Sequence, residues 1–237
     1  CFEVYFQLVV ISGGFNQLSA FPKHASLGLR FKCETQAAKN MLFRTTQQQL
    51  AAGLAAVISI VVYLPSIWAD FTYDDKVAVK TNPDVQLLLP PSQVFKHDFW
   101  GNNIIPEGPG QWTHHSYRPL VVLTFQLDQL LGGGAPAMYH LSNILVHALV
   151  TVLCGSFMHS LWGVGHFVLP FCATLLFALH PVHTEVVANV TSRAETVAAI
   201  FMLYGLARIA FRIRSKNQSR SNFTRLYFLD IVLPTIC

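Results

Sequence analysis

The chain has 237 residues, of which 52% are hydrophobic and only 12% charged, with a net charge of +4 and a mean hydropathy of +0.42. Charge at about half the roughly 25% usual for soluble chains argues against a soluble globular domain, and the same figures exclude a disordered chain, a collagen-like rod and a coiled coil. Five cysteines, two of them inside apolar runs, do not make a disulfide-stapled secreted domain, and basic clusters that flank apolar runs are not the face of a nucleic-acid binder, so the expected fold is all-α: a polytopic membrane helix bundle.

Residues 1–49 carry five Lys/Arg and two Glu. They read as a cytosolic N-terminal segment, disordered or the product of an imperfect gene model, with Met41 as a candidate natural start. The apolar stretch Phe6–Phe15 is too short to cross a bilayer, which takes about 20 residues, and lacks the basic flank of a signal peptide. The stretch 50–69 has no charge and is rich in Ala, Val and Ile, the pattern of a first span. Arg30, Lys32, Lys39 and Arg44 precede it, which places the N-terminus in the cytosol and Asp70 on the far side.

A loop at 70–136 follows, on the non-cytosolic face. Its part 70–117 holds six acids, three Lys and several Pro, and is long enough that it should fold or do work. Its apolar stretch 119–131, interrupted by Gln126 and Asp128, suits an interfacial helix. Further spans are expected at about 137–162, 166–179 and 186–211. The six Lys/Arg at 208–225 then land in the cytosol, in agreement with the first span. Residues 212–237 are that basic segment followed by a short apolar end where the sequence breaks off. The sequons at Asn189, Asn217 and Asn222 read as chance.

Several polar groups need an account. Asp74 and Asp75 lie just past the first span; adjacent carboxylates can supply a general base, and the plain alternative is capping of a short helix. Arg118, before Pro119 at the start of the interfacial helix, could bind a phosphate or anchor to headgroups. His140, Asn143 and His147 share one face of the second span, as helix–helix hydrogen-bonding groups or the lining of a path. His180, His183 and Glu185 surround Pro181 at a membrane edge. A metal half-site is conceivable there, but Pro181 keeps the two His off one helical face. Arg193 and Glu195 follow, and the cost of a mid-bilayer charge, roughly 2.5–3.5 kcal/mol, places both near the lumenal edge or in a polar cavity.

The strings FTYDD (71–75), SYRPL (116–120), YHLSNILVH (139–147), LLFALHPVHTEVVA (175–188) and SRAE (192–195) occur in this order. Together they resemble the N-terminal part of the transmembrane and tetratricopeptide-repeat proteins, the O-mannosyltransferases that act on cadherins. The resemblance covers about 65–211; Ser192 and Glu195 stand where that family usually has Gly and Asp. It implies a GT-C architecture in the endoplasmic reticulum membrane and inverting transfer of mannose from dolichyl-phosphate mannose to Ser or Thr hydroxyls of lumenal proteins. It further implies Asp74 or Asp75 as the catalytic acid pair, Arg118, His180, His183, Glu185 and Arg193 as groups for the donor phosphate or substrate, and no cofactor or metal. The rival expectations are a truncated, inactive membrane protein that binds partners, and a transporter fragment.

Overall fold

The computed structural model describes residues 46–105, 108, 113–162 and 166–214. The chain divides into two units, Cys1–Met41 and Leu42–Cys237, and all described residues belong to the second. The expected cytosolic segment before residue 46, the candidate start at Met41, the 163–165 connection, the segment 215–237 and the sequons at Asn217 and Asn222 lie outside the described residues.

Among the described residues the regular structure is helical, with a single isolated bridge between His97 and Asn103. Helix α1 covers Thr46–Trp68, its last turn Leu64–Trp68 tightened into a 3₁₀ helix. Pro65 begins that turn, and Ser66 Oγ donates to the Tyr63 carbonyl at 2.7 Å. A short turn, α2 (Tyr73–Asp75), runs on into a wide turn at Lys76–Lys80. The interfacial helix of the sequence reading is α3 (Pro119–Gly132), which starts on a proline and ends at Gly133, whose left-handed backbone (φ 59) donates to the Gln129 carbonyl. Helix α4 is Pro136–Trp162, α5 Val168–Leu179, α6 His183–Ala188 and α7 Arg193–Arg214.

Two of these, α1 and α4, are long and apolar enough to cross a membrane. At 1.5 Å per residue the 27 residues of α4 extend about 40 Å, beyond the roughly 30 Å of a hydrocarbon core. The span expected at 166–179 contains only the 12-residue α5, about 18 Å long. It stops because Pro181 forces the preceding residue out of helical geometry, and His180 is extended (ψ 129). The span expected at 186–211 is not one helix from 186. The chain breaks at Asn189, passes through a 3₁₀ turn (Val190–Ser192), and starts α7 at Arg193.

Helix α4 is the central element, packing most extensively against α7 and then α5. Small residues set the approach of α1, whose Ala51, Ala52, Ala55 and Ala56 are all buried. Gly155 of α4 is the tightest point: a Cβ there would lie 2.8 Å from Ala52 Cβ and 3.3 Å from Thr174 Cγ2. Without directional polar contacts, such close backbone approach is how helices gain packing energy in an apolar medium.

The loop after α1 is folded. Phe71, Val79, Val85, Val94 and Phe99 form one buried cluster with Val121, Val122 and Phe125 of α3, Tyr139 of α4 and Val190. Its backbone is held by two buried carboxylates. Asp98 accepts from the amides of Trp100, Asn102 and His114 and from Thr113 Oγ1, at 2.9–3.1 Å. Burial works to raise its pKa, but these bonds win and hold it below the usual carboxylate value. Asp84 pairs with His97 Nδ1 at 2.8 Å, and its carbonyl accepts from Gln126 Nε2 of α3 at 2.9 Å. Gln126, a polar residue in an apolar stretch, thus clips the loop to the helix beneath it.

Candidate functional site

The site is built where the loop after α1 meets the turn between α6 and α7. Thr72 caps α2 and Asp75 is its third residue, so the two form a reciprocal capping box: Asp75 Oδ2 accepts from Thr72 N at 3.2 Å and lies 3.4 Å from Thr72 Oγ1. The other oxygen, Oδ1, accepts from the amide of Thr191 at 3.1 Å. Asp75 is 1% exposed. The capping alternative therefore describes Asp75, with the addition of a long-range bond. Asp74 is exposed, and Tyr73 before it carries a positive φ of 28° and is itself 92% exposed. The buried carboxylate fixes the turn, and the exposed one is presented at its surface.

The Thr191 amide is positioned by its own neighbours. Asn189 Oδ1 accepts from Thr191 N at 3.2 Å and Thr191 Oγ1 at 2.8 Å. This side-chain cap is why the chain leaves α6 and re-enters a helix at Arg193. It also engages the acceptor side chain of the Asn189 sequon in structure. Asn143 of α4 donates from Nδ2 to the carbonyls of Val187 (3.2 Å) and Asn189 (3.1 Å).

Arg193, expected among the groups for the donor phosphate or substrate, is 1% exposed and fully engaged within the protein. Nε donates to Asn143 Oδ1 (2.6 Å), Nη1 to Asp128 Oδ2 (2.5 Å) and Thr124 Oγ1 (3.1 Å), and Nη2 to the Tyr139 carbonyl (2.9 Å) and Ser142 Oγ (2.6 Å). All five N–H donors of a guanidinium are thereby used. The plane also lies 4.6 Å from the Phe125 ring centroid. For Asp128, burial pushes the carboxyl pKa above its ordinary value even though Arg193 and Ser142 oppose the rise. The arrangement has a simple cause: an arginine at the head of an apolar helix found its counter-charge in α3, the helix packed against it.

The remaining predicted residues lie around this core. The ring of His183 packs 4.5 Å from Phe177 and 5.1 Å from His147, centroid to centroid. Burial first, then the neighbouring His147 and His180, pushes the His183 pKa down to about 4, so the ring is neutral at neutral pH. His180 is exposed, and its Nδ1 accepts from the Val182 amide at 3.2 Å. Its carbonyl lies 3.4 Å from Tyr63 Oη, which joins the end of α1 to the same segment. Glu185 is exposed on α6. Arg118 is exposed and rests 5.1 Å from the Phe99 ring centroid. The stripe on α4 is buried: Asn143 is bonded as above, His147 Nε2 is 3.2 Å from the Ala178 carbonyl, and neither ring nitrogen of His140 has a partner in hydrogen-bond geometry. Among the described residues no group of three His, Cys, Asp or Glu could hold a metal ion.

The structure thus brings Asp75 onto the 189–192 turn and His183 onto His147, and it leaves Asp74, Arg118, His180 and Glu185 exposed. It adds Asp128, Asn143, Asn189 and Thr191, which sequence reasoning did not assign to the site. A signal existed for one of them: Asp128 and Arg193 are opposite charges within apolar helices, and each needed the other.

Two thirds of the chain is similar to curated proteins. It is 42% identical over 157 residues to a protein named Protein O-mannosyl-transferase TMTC2 from Homo sapiens, covering 66% of this chain and 18% of that protein. It is 34% identical over 184 residues to Protein O-mannosyl-transferase TMTC4 from Homo sapiens (73% of this chain, 24% of that protein) and 37% identical over 173 residues to Protein O-mannosyl-transferase Tmtc1 from Drosophila melanogaster (70% and 19%). The chain therefore spans about a fifth to a quarter of the length of these relatives. No family model and no solved structure matches it.

Proposed function

We propose, from the premise that this chain shares its family with the TMTC protein O-mannosyl-transferases over two thirds of its length, that it carries the proton-accepting part of a protein O-mannosyltransferase site. The donor is dolichyl-phosphate mannose and the acceptor a Ser or Thr hydroxyl of a lumenal protein, with cadherins as the expected class. The setting is the endoplasmic reticulum membrane, with the N-terminus cytosolic. In this reading α1 and α4 cross fully, the stretch around α5 makes a short third crossing, and α7 makes the fourth from a lumenal start at Arg193. The arrangement is a GT-C-like bundle.

The reaction is an inverting displacement. The acceptor oxygen attacks the anomeric carbon, its proton passes to a carboxylate, and the sugar–phosphate bond breaks with the electron pair leaving on dolichyl phosphate. We assign the proton acceptor to Asp74. Asp75 is a poor candidate because it is buried and its oxygens already take bonds from Thr72 and Thr191. Asp74 is exposed on the turn that Asp75 holds. Arg118 and His180, both exposed, are the groups offered to the phosphate, with Glu185 toward the sugar hydroxyls and neutral His183, its ring 6.2 Å from that of His180, helping to orient the donor. A phosphate leaving group departs without a metal ion.

The observation that carries the reading is the Thr191–Asp75 bond, which joins residues 116 apart and brings the acidic loop onto the 189–192 turn that follows the HPVHTE segment. The test is transfer of labelled mannose from dolichyl-phosphate mannose in microsomes carrying the complete protein. Loss of a general base lowers the rate by about 10²–10⁴-fold, so D74N should lose at least that lower figure. Wild-type transfer by the D74N/D75N double variant would overturn the mechanism.

A further inference from the structure

We propose that Asn189, Asn143 and Arg193 act as positioning residues for Asp74, through a hydrogen-bonded relay that ends on Asp75; the inference rests on the assignment of Asp74 as the base. The relay is continuous. Asp128 and Arg193 pair between α3 and α7, and Arg193 Nε donates to Asn143 Oδ1. Asn143 Nδ2 donates to the carbonyls of Val187 and Asn189, fixing the exit from α6. The Asn189 side chain holds Thr191 by its amide and its hydroxyl, and that amide donates to Asp75 Oδ1.

Each junction is directional, because each uses a specific lone pair or N–H of a buried or half-buried group. Among the described residues the long-range hydrogen bond to the Asp75 carboxylate is the one from Thr191, and its second oxygen is used locally on Thr72. The Thr191 amide thus ties α2 through a carboxylate to the turn that precedes α7, and Asp74 is the adjoining residue. The geometry therefore assigns to a buried arginine and two amides the placement of a carboxylate that none of them touches. A displacement of about 1 Å from the reactive geometry can cost on the order of 10²-fold in rate.

The test compares initial rates against dolichyl-phosphate mannose concentration in microsomes carrying the complete protein, with folded protein quantified by fluorescence-detected size exclusion. N189A removes both acceptor bonds to Thr191 but leaves every donor of Arg193 in place, so its folding does not depend on the buried ion pair. We expect its kcat to fall by about 10–100-fold with the donor KM little changed. N189D keeps an oxygen at the same point and should restore kcat to near wild type. Both substitutions remove the sequon, so rescue by N189D separates positioning from loss of a glycan. N143L should show the same kcat defect if it folds. Wild-type transfer by D74N would sink the base assignment and this relay with it. Loss in D74N together with full kcat in N189A would sink the relay alone. A loss in N189A that follows only the amount of folded protein, or one confined to donor KM, would also overturn it.

Discussion

Replacing Arg193 by Met keeps the length and apolar bulk of the side chain and deletes its charge. The cost can be worked from the contacts. Ser142 and Thr124 keep other bonds, to Asp128 and Tyr139 and to Val121 respectively. What is stranded is Asn143 Oδ1, and above all Asp128, buried and left with Ser142 as its partner. An unpaired buried charge costs about 3–5 kcal/mol, and a stranded amide oxygen about 1–3 kcal/mol. The charge is thus the larger part, and it can be relieved by protonation. In R193M the Asp128 pKa rises further above its unfolded value, so the charge part of the destabilisation is absent below about pH 4, the unfolded pKa, and grows as pH rises toward the folded pKa, while the part from the stranded Asn143 oxygen stays at every pH. Adding D128N removes the charge and should recover most of the loss, together with the extra pH dependence that R193M introduced. The assay is the thermal midpoint of detergent-solubilised protein by size exclusion, across pH, for R193M, D128N and the double variant. If R193M melts with wild type at neutral pH, or the double variant is no more stable than R193M, the ion pair does not hold α3 to α7.

Gly155 gives a packing test: G155A drives a methyl into Ala52, 2.8 Å away. The thermal midpoint should drop by the equivalent of about 1–3 kcal/mol, and A52G in the same chain should restore it. His183 gives a pH test. Its folded pKa of about 4 lies below the ordinary histidine value of 6.5, so the folded state resists protonation. Its contribution is complete above pH 6.5 and is lost as pH falls from 6.5 toward 4. H183F, which cannot be charged, should flatten that part of the stability–pH curve; an unchanged slope would show that the ring is not held neutral by its surroundings.

Much of the helical organisation is written in local pattern. Charge-free runs of Ala, Val and Ile make α1 and α4 long and apolar, and Pro119 with the Gly133 stop delimits α3 almost to the residue. Pro181 marks the break after α5, because a proline acts on its own neighbours. That α7 starts at Arg193 and not near 186 has a different kind of reason. The run Val186–Ala188 and Val190 is apolar, but the Asn189 side chain takes the Thr191 amide, and Asn143 on another helix secures the turn. That competition between a cap and a continuing helix is decided by packing partners far away in the chain.

The sequence by itself determined that Asp74 and Asp75 follow the first apolar helix and that Arg193 opens the last one. Identical side chains in adjacent positions gave no basis for telling the two carboxylates apart. Only the tertiary structure did so, by burying Asp75 against an amide 116 residues away and leaving Asp74 exposed. It also gave Arg193 a counter-charge in α3. The physical reason is the same in both cases. A buried charge must find its hydrogen bonds within the fold, and which partners stand within reach is a property of how the helices pack, not of any one stretch of chain.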